Sequence, residues 1–282
     1  SKLEPIARTT DALLRTLDFD FFELLDSVTI ARSRKHIEKY YNTNEIGKFP
    51  ERLKPISVRP CLTDLNNAIN YNEIYDQLMQ LTLCVYTPSN YIFPSKLQKY
   101  KDLTHNKGDN LTQTGRERGI QRLMSINLLK RLESSVYSFQ LTLTRIKDLI
   151  NDTIQSINQF EQHGNANISM YNAEEYDWDI DDENTDFFTV GKKVKIDLAD
   201  VDWKSWRTEL QQDADVLELL TLMVAYITPE HDSKLQQLFQ LITQKIEHPI
   251  NPENKKILIF SAFSDTAKYL YDNVSEYIKK KY

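Results

Sequence analysis

Apolar side chains at Leu129, Leu132, Val136, Phe139, Leu143, Ile146, Ile150 and Ile157 alternate steps of three and four along the chain, with Thr153 alone breaking the series. That spacing is one face of a helix, so residues 122–159 predict a long continuous helix whose centre reads LLKRLESSVYSF (128–139). A seam of this length needs cover along its whole extent, which calls for at least two more helices against it. Candidates follow in the sequence. Trp203, Trp206, Leu210, Ala214, Leu217, Leu220 and Val224 mark a second long helix ending near Pro229. Residues 233–246 place Leu235, Leu238, Phe239, Ile242 and Ile246 on one face, with Asp232 or Ser233 as N-cap. Residues 264–280 are amphipathic as well, with Thr266 near their start.

The remaining stretches are shorter. Residues 1–18 predict a helix carrying Ile6, Leu13, Leu14 and Leu17, and the crowd of Phe and Leu at 19–25 predicts burial. A β-branched run at 28–31 reads as a strand, and 33–41 has helical spacing with Ser33 as its cap. Residues 42–50 form a turn region. Ile56, Val58 and Leu62 suit an edge strand over 53–62, because Pro60 cannot donate to a central ladder. Asp64 or Asn66 is placed to cap a helix bearing Ile74, Leu78, Leu81 and Val85, stopped by Pro88. A short helix started at Pro94 or Ser95 is expected within 91–103, a mobile polar loop at 105–114 and a turn at 162–167. KKILIF (255–260) is a buried-type strand followed by a helix, half of a parallel α/β unit. A lone strand makes no sheet, so its neighbours are expected outside this chain or from 28–62.

Composition supports helix: among 282 residues there are 6 Gly, 15 Tyr and 12 Phe, which argues against a turn-rich all-β fold. The fold class expected is mainly α, a long-helix bundle with small α/β portions at the two ends. Cys61 and Cys84 sit among apolar residues without ligand spacing, which reads as buried free thiols in a reducing, cytoplasmic setting. No signal peptide, membrane-spanning run or lipidation motif is recognisable. The sequence starts at Ser1 and stops at Tyr282 directly after a helical pattern, and this leads us to expect an excised piece of a longer protein. The formal charge of −6 conceals an asymmetry: residues 29–147 hold nineteen Lys/Arg against ten Asp/Glu, whereas 148–232 hold five against twenty. A basic block is where a phosphate backbone is met; equally, two halves of opposite sign attract one another. Residues 174–186 have eight acidic side chains and no basic one, the composition of an exposed, poorly ordered segment.

The order of the pieces then carries a resemblance. TIARSRKHI (29–37), GKFPERLKPISVRPCLTD (47–64), LLKRLESSVYSF, DSKLQQLFQLI (232–242) and KKILIFSAFSDTAKYL (255–270) together resemble the middle of Swi/Snf-type helicase-like ATPases of superfamily two, in a bacterial type with a long helical insertion. The resemblance implies that 1–63 closes a first RecA-like lobe, that 64–250 is the helical insertion with its acidic loop near 174–186, and that 251–282 begins a second lobe with KILIFSAF as motif IV. It implies a parent that is an ATP-dependent DNA helicase or translocase using ATP and magnesium, with duplex DNA and the remaining lobe segments as partners and no membrane. No Gly-x4-Gly-Lys-Ser/Thr loop and no Asp-Glu box occur here, so no cofactor and no ATPase activity are expected of this chain alone.

The residues expected to meet nucleic acid are Arg32, Arg34 and Lys35, following a strand and opening a helix; Lys130 and Arg131, sharing a face with Ser134 and Ser135; and Ser261, Phe263 and Ser264, where the last strand ends. The first two sets have plainer readings, as a solvated helix face and as ordinary capping with surface salt bridging. QTGRERGIQR (113–122) imitates an arginine-finger motif with the wrong spacing and order, and Asp177, Asp179 and Asp181 imitate a calcium loop that lacks its Gly and closing Glu. Trp203 and Trp206 read as core anchors. The alternative function is a helical protein-interaction or regulatory module without nucleic acid.

Overall fold

The computed structural model describes residues 27, 34–40, 49, 54–65, 69–104, 113–163, 167–169, 195–250 and 254–282. The chain divides into two compact units, Ser1–Val58 and Arg59–Tyr282. In the first, helix α1 (Arg34–Tyr40) falls inside the span expected at 33–41. The expected elements at 1–18, 19–25 and 28–31, and the acidic segment 174–186, lie outside the described residues.

The second unit is helical, as its periodicity predicts. Helix α2 (Tyr71–Leu78) is capped by Asn70 rather than Asp64 or Asn66. The Asn70 side chain accepts from the Asn72 and Glu73 amides at 2.9 and 3.0 Å, while Glu73 accepts from the Asn70 amide at 3.0 Å, a reciprocal box that outcompetes the earlier candidates. The helix ends at Leu78, short of Leu81 and Val85, and beyond it the backbone turns left-handed at Leu83 (φ 51°) and passes into 3₁₀ turns at Cys84–Tyr86 and Pro88–Tyr91. Leu83 is buried, and a left-handed leucine is costly. The buried Asp213 carboxylate offsets that cost by accepting from the Thr82 amide (2.7 Å), the Thr82 hydroxyl (2.9 Å) and the Cys84 amide (3.1 Å) on either side of it. Helix α3 (Leu97–Thr104) follows.

The long helix predicted over 122–159 is present but longer and interrupted: α4 (Gln113–Ser134) and α5 (Val136–His163) meet at Ser135. Glu-Ser-Ser is a weak helical tripeptide because serine hydroxyls compete for backbone partners. Even so, the Ser135 amide donates to the Arg131 carbonyl at 2.9 Å and the Phe139 amide to the Ser135 carbonyl at 3.1 Å, so the four-residue bonding pattern spans the break. The apolar seam therefore crosses it. Leu132, Val136, Phe139, Leu143, Ile146, Ile150 and Ile157 are all buried, and Leu129 is half-buried. Thr153 fits the seam by returning its hydroxyl to the Leu149 carbonyl at 2.8 Å.

Helix α6 (Trp203–Val224) lies along α5, burying Trp206, Leu210, Ala214, Leu217, Leu220 and Val224. Helix α7 (Ser233–Glu247) starts at the predicted Asp232 cap, and α8 (Ser264–Lys281) packs on both α5 and α7. Strands β1 (Asn167–Ser169) and β2 (Lys195–Asp197), not expected from the sequence, pair antiparallel with Ile168 opposite Ile196. Among the described residues this is the only ladder. The basic and acidic halves do engage each other: Lys96 and Lys99 reach the buried Asp200, and Lys147 meets Glu218.

Three expectations are corrected. Residues 54–61 form no edge strand, and Ile56 is 89 % exposed. KKILIF likewise has no partner strand, leaving Leu258 and Phe260 84 and 89 % exposed, because a ladder needs neighbours that the described residues do not supply. Cys61, on the unpaired stretch, is an exposed thiol, whereas Cys84 is buried. No described helix is long and apolar enough to cross a membrane.

Candidate nucleic-acid interface

The break between α4 and α5 is the meeting point of four stretches far apart in sequence. Ser135 turns its hydroxyl inward to accept from the Ser138 amide at 3.1 Å, acting as the N-cap of α5. One turn earlier, Arg131 points into the protein and is only 1 % exposed. Its guanidinium donates to the Ser138 hydroxyl (3.1 Å) and to Asp265 Oδ2 (3.0 Å), and lies 4.7 Å from the centre of the Phe263 ring. Arg145, two turns into α5, donates to both oxygens of the same Asp265, at 3.0 and 3.4 Å. One carboxylate in the first turn of α8 thus ties together both halves of the long helix. A buried arginine requires such a partner, since an unpaired charge would carry its full desolvation cost.

Hydroxyls complete this side. Thr266 bonds Ser134 at 2.8 Å and Ser135 at 3.0 Å, and Ser261 sits 3.5 Å from Ser134. On the other side, Lys234 donates to the Glu133 carbonyl at 2.5 Å, satisfying a C-terminal carbonyl of α4. Its neighbour Asp232 caps α7 through the Lys234 and Leu235 amides, both at 3.0 Å, and accepts from the Tyr269 hydroxyl at 3.0 Å. Burial, reinforced by the Asp232 charge, pushes the Tyr269 phenol well above its ordinary range. Thr63 forms a β-bridge with Asp232, and Asp64 meets the His231 ring at 3.0 Å. The LLKRLESS, DSKL and SAFSDT stretches and the CLTD end of 47–64 therefore share one polar junction.

The expected contact residues divide by depth. Lys130, Ser261 and Ser264 are exposed around this junction, while Phe263 and Arg131 lie beneath the surface. Arg131 is engaged internally, so at this face it positions others, and Lys130 is the accessible cation of the pair. Arg34 is exposed on α1, its guanidinium 5.5 Å from the Phe49 ring, in the other unit. Arg32 lies outside the described residues, as does the side chain of Lys35. Sequence reasoning missed Asp265 and Arg145. An Asp in a first helical turn reads as a favourable dipole interaction, and nothing in local spacing reveals a partner 134 residues away in sequence. Trp206 is a core anchor, stacked on Tyr91 with ring centroids 5.7 Å apart, and Trp203 is half-buried.

No family model matches the chain, and comparisons with curated proteins and with solved structures return no match.

Proposed function

We propose that this chain is a central part of a Swi/Snf-type ATP-dependent DNA translocase, joining two motor lobes and presenting a surface to duplex DNA. The observation that carries the reading is the junction at Ser135. Four of the five stretches on which the resemblance rests, scattered from residue 61 to residue 270, contact one another there. The unpaired segment 257–260 adds support. Leu258 and Phe260 alternate with Ile257 and Ile259, which are 39 and 42 % exposed, so both faces of the segment are apolar and a helix follows at once. That is the pattern of an interior strand in a parallel sheet covered on both sides, as expected of a second RecA-like lobe whose other strands lie elsewhere. In such an assembly ATP and magnesium are held by the parent's lobes, and the chain's own residues act on the nucleic acid: Lys130 as a phosphate cation, Ser261 and Ser264 as hydroxyl donors, and Arg32, Arg34 and Lys35 as a basic group on the first lobe.

The test is titration of the full chain with a labelled duplex of arbitrary sequence at low and at physiological salt. We expect binding that weakens steeply with salt and is reduced by Lys130→Ala and by the combined Ala variant of Arg32, Arg34 and Lys35. Absence of binding at low salt would overturn the reading. In that event a helical interaction module becomes the working assignment, for which a specific feature exists: Leu219, Leu222 and Tyr226, 45, 56 and 79 % exposed, line the outer face at the end of α6.

A further inference from the structure

We propose that a second phosphate-binding surface lies in the groove over Gly115 and Gly119 on α4, and that Arg118 and Arg122 hold the backbone of a nucleic acid there. This rests on the nucleic-acid reading above and extends it to residues which that reading does not use.

The groove runs between α4 and the Leu81–Thr82 segment and has a volume of about 610 Å³. Its wall is fastened, because the Gln121 side-chain amide donates to the Thr82 carbonyl. Gly115, in the first turn of α4, and Gly119, one turn on, give the groove an open floor, and Gly119 costs about 1 kcal/mol relative to alanine in a helix interior. Packing does not require that cost at Gly119, since a Cβ added there would meet nothing within 4 Å. The space is left open without a structural return.

Arg118 and Arg122 flank this opening, both exposed, about 6 Å apart along the helix axis. Among the described residues neither has an acidic partner, a state they share with the exposed Lys130 and the half-buried Lys245, so what sets them apart is their place beside the groove. Two like charges one turn apart on a helix repel, and the arrangement becomes favourable when an anion sits between them. The guanidinium fork fits phosphate oxygens bidentately. No aromatic side chain among the described residues lines the groove for a base to stack on, so the chemistry selects the sugar–phosphate backbone, independent of sequence. Lys130 lies about 12 Å farther along the same helix and about 80° round it from Arg122, so it is a separate cation outside the groove.

The experiment measures duplex affinity of the full chain across a salt series, for the wild type, Arg118→Ala/Arg122→Ala, Arg118→Lys/Arg122→Lys and Gly119→Leu. The double alanine variant is expected to flatten the slope of log affinity against log salt by about 1.8 and to weaken binding at low salt about tenfold or more. The double lysine variant keeps the slope. Gly119→Leu is expected to raise the melting temperature, since a good helix former replaces a glycine with open space around it, while weakening binding by filling the floor. A wild type that binds while the double alanine variant has an unchanged slope overturns the groove and leaves the reading based on Lys130 standing. A wild type that binds no duplex even at low salt overturns both.

Discussion

Asp213 shows what a single side chain contributes. Its two oxygens accept three hydrogen bonds around the left-handed Leu83, and the same carboxylate lies beside the Cys84 thiol. Burial first and the Asp213 charge second push that thiol up to about 12. A raised pKa means the folded state favours the neutral thiol. The associated stability is complete below the ordinary thiol range and is lost as the pH rises from that range towards about 12. At pH 8 the native protein should therefore take one equivalent of an alkylating reagent, at the exposed Cys61, and a second only in denaturant, read by intact-protein mass spectrometry. Labelling of Cys84 in the native state at the rate of Cys61 would mean that the Asp213 contacts are open. The two cysteines looked alike in sequence because each has apolar neighbours. What separates them is that Cys84 is drawn into the core by partners more than a hundred residues away, while Cys61 lies on a stretch with no strand to pair with.

Among the elements, those with a long apolar period were legible and those whose limits depend on a cap or a distant neighbour were not. The starts of α7 and α8 and the extent of α6 follow from periodicity and caps. The break at Ser135 did not, because the apolar seam passes through it without a phase change and only the serine hydroxyls mark it. Of the candidate interface, Lys130 stands out in the sequence by lying off the apolar seam and Ser261 and Ser264 by following the KKILIF run, whereas the buried role of Arg131 depends on Asp265. That pairing yields a prediction for three helices at once. Asp265→Ala leaves the Arg131 guanidinium buried without its carboxylate, and should cost about 3–5 kcal/mol in denaturant unfolding. Arg145→Ala, which removes a cation that is 32 % exposed, should cost far less. Equal effects for the two would show that Arg131 does not depend on Asp265.

For the molecule as a whole, the apolar exposure at 257–260 is the feature that a free polypeptide tolerates least. Leu258→Lys combined with Phe260→Lys should raise solubility and suppress concentration-dependent association while leaving the melting temperature unchanged, because neither side chain contributes to the core. A fall in melting temperature would place these residues in packing that their exposure denies. A mechanical consequence also follows from the tie at Asp265. Helix α5 has 28 residues, a rod of about 42 Å, and among the described residues its ties to α8 lie in its first half, at the Arg145–Asp265 pair and the Tyr137–Tyr269 ring stack. It is a lever with its fulcrum in that half. A tilt of α8 by about 10° about the Arg145 tie would carry α5 with the α6 that lies along it, and would swing the tip at His163, about 27 Å away, by roughly 5 Å.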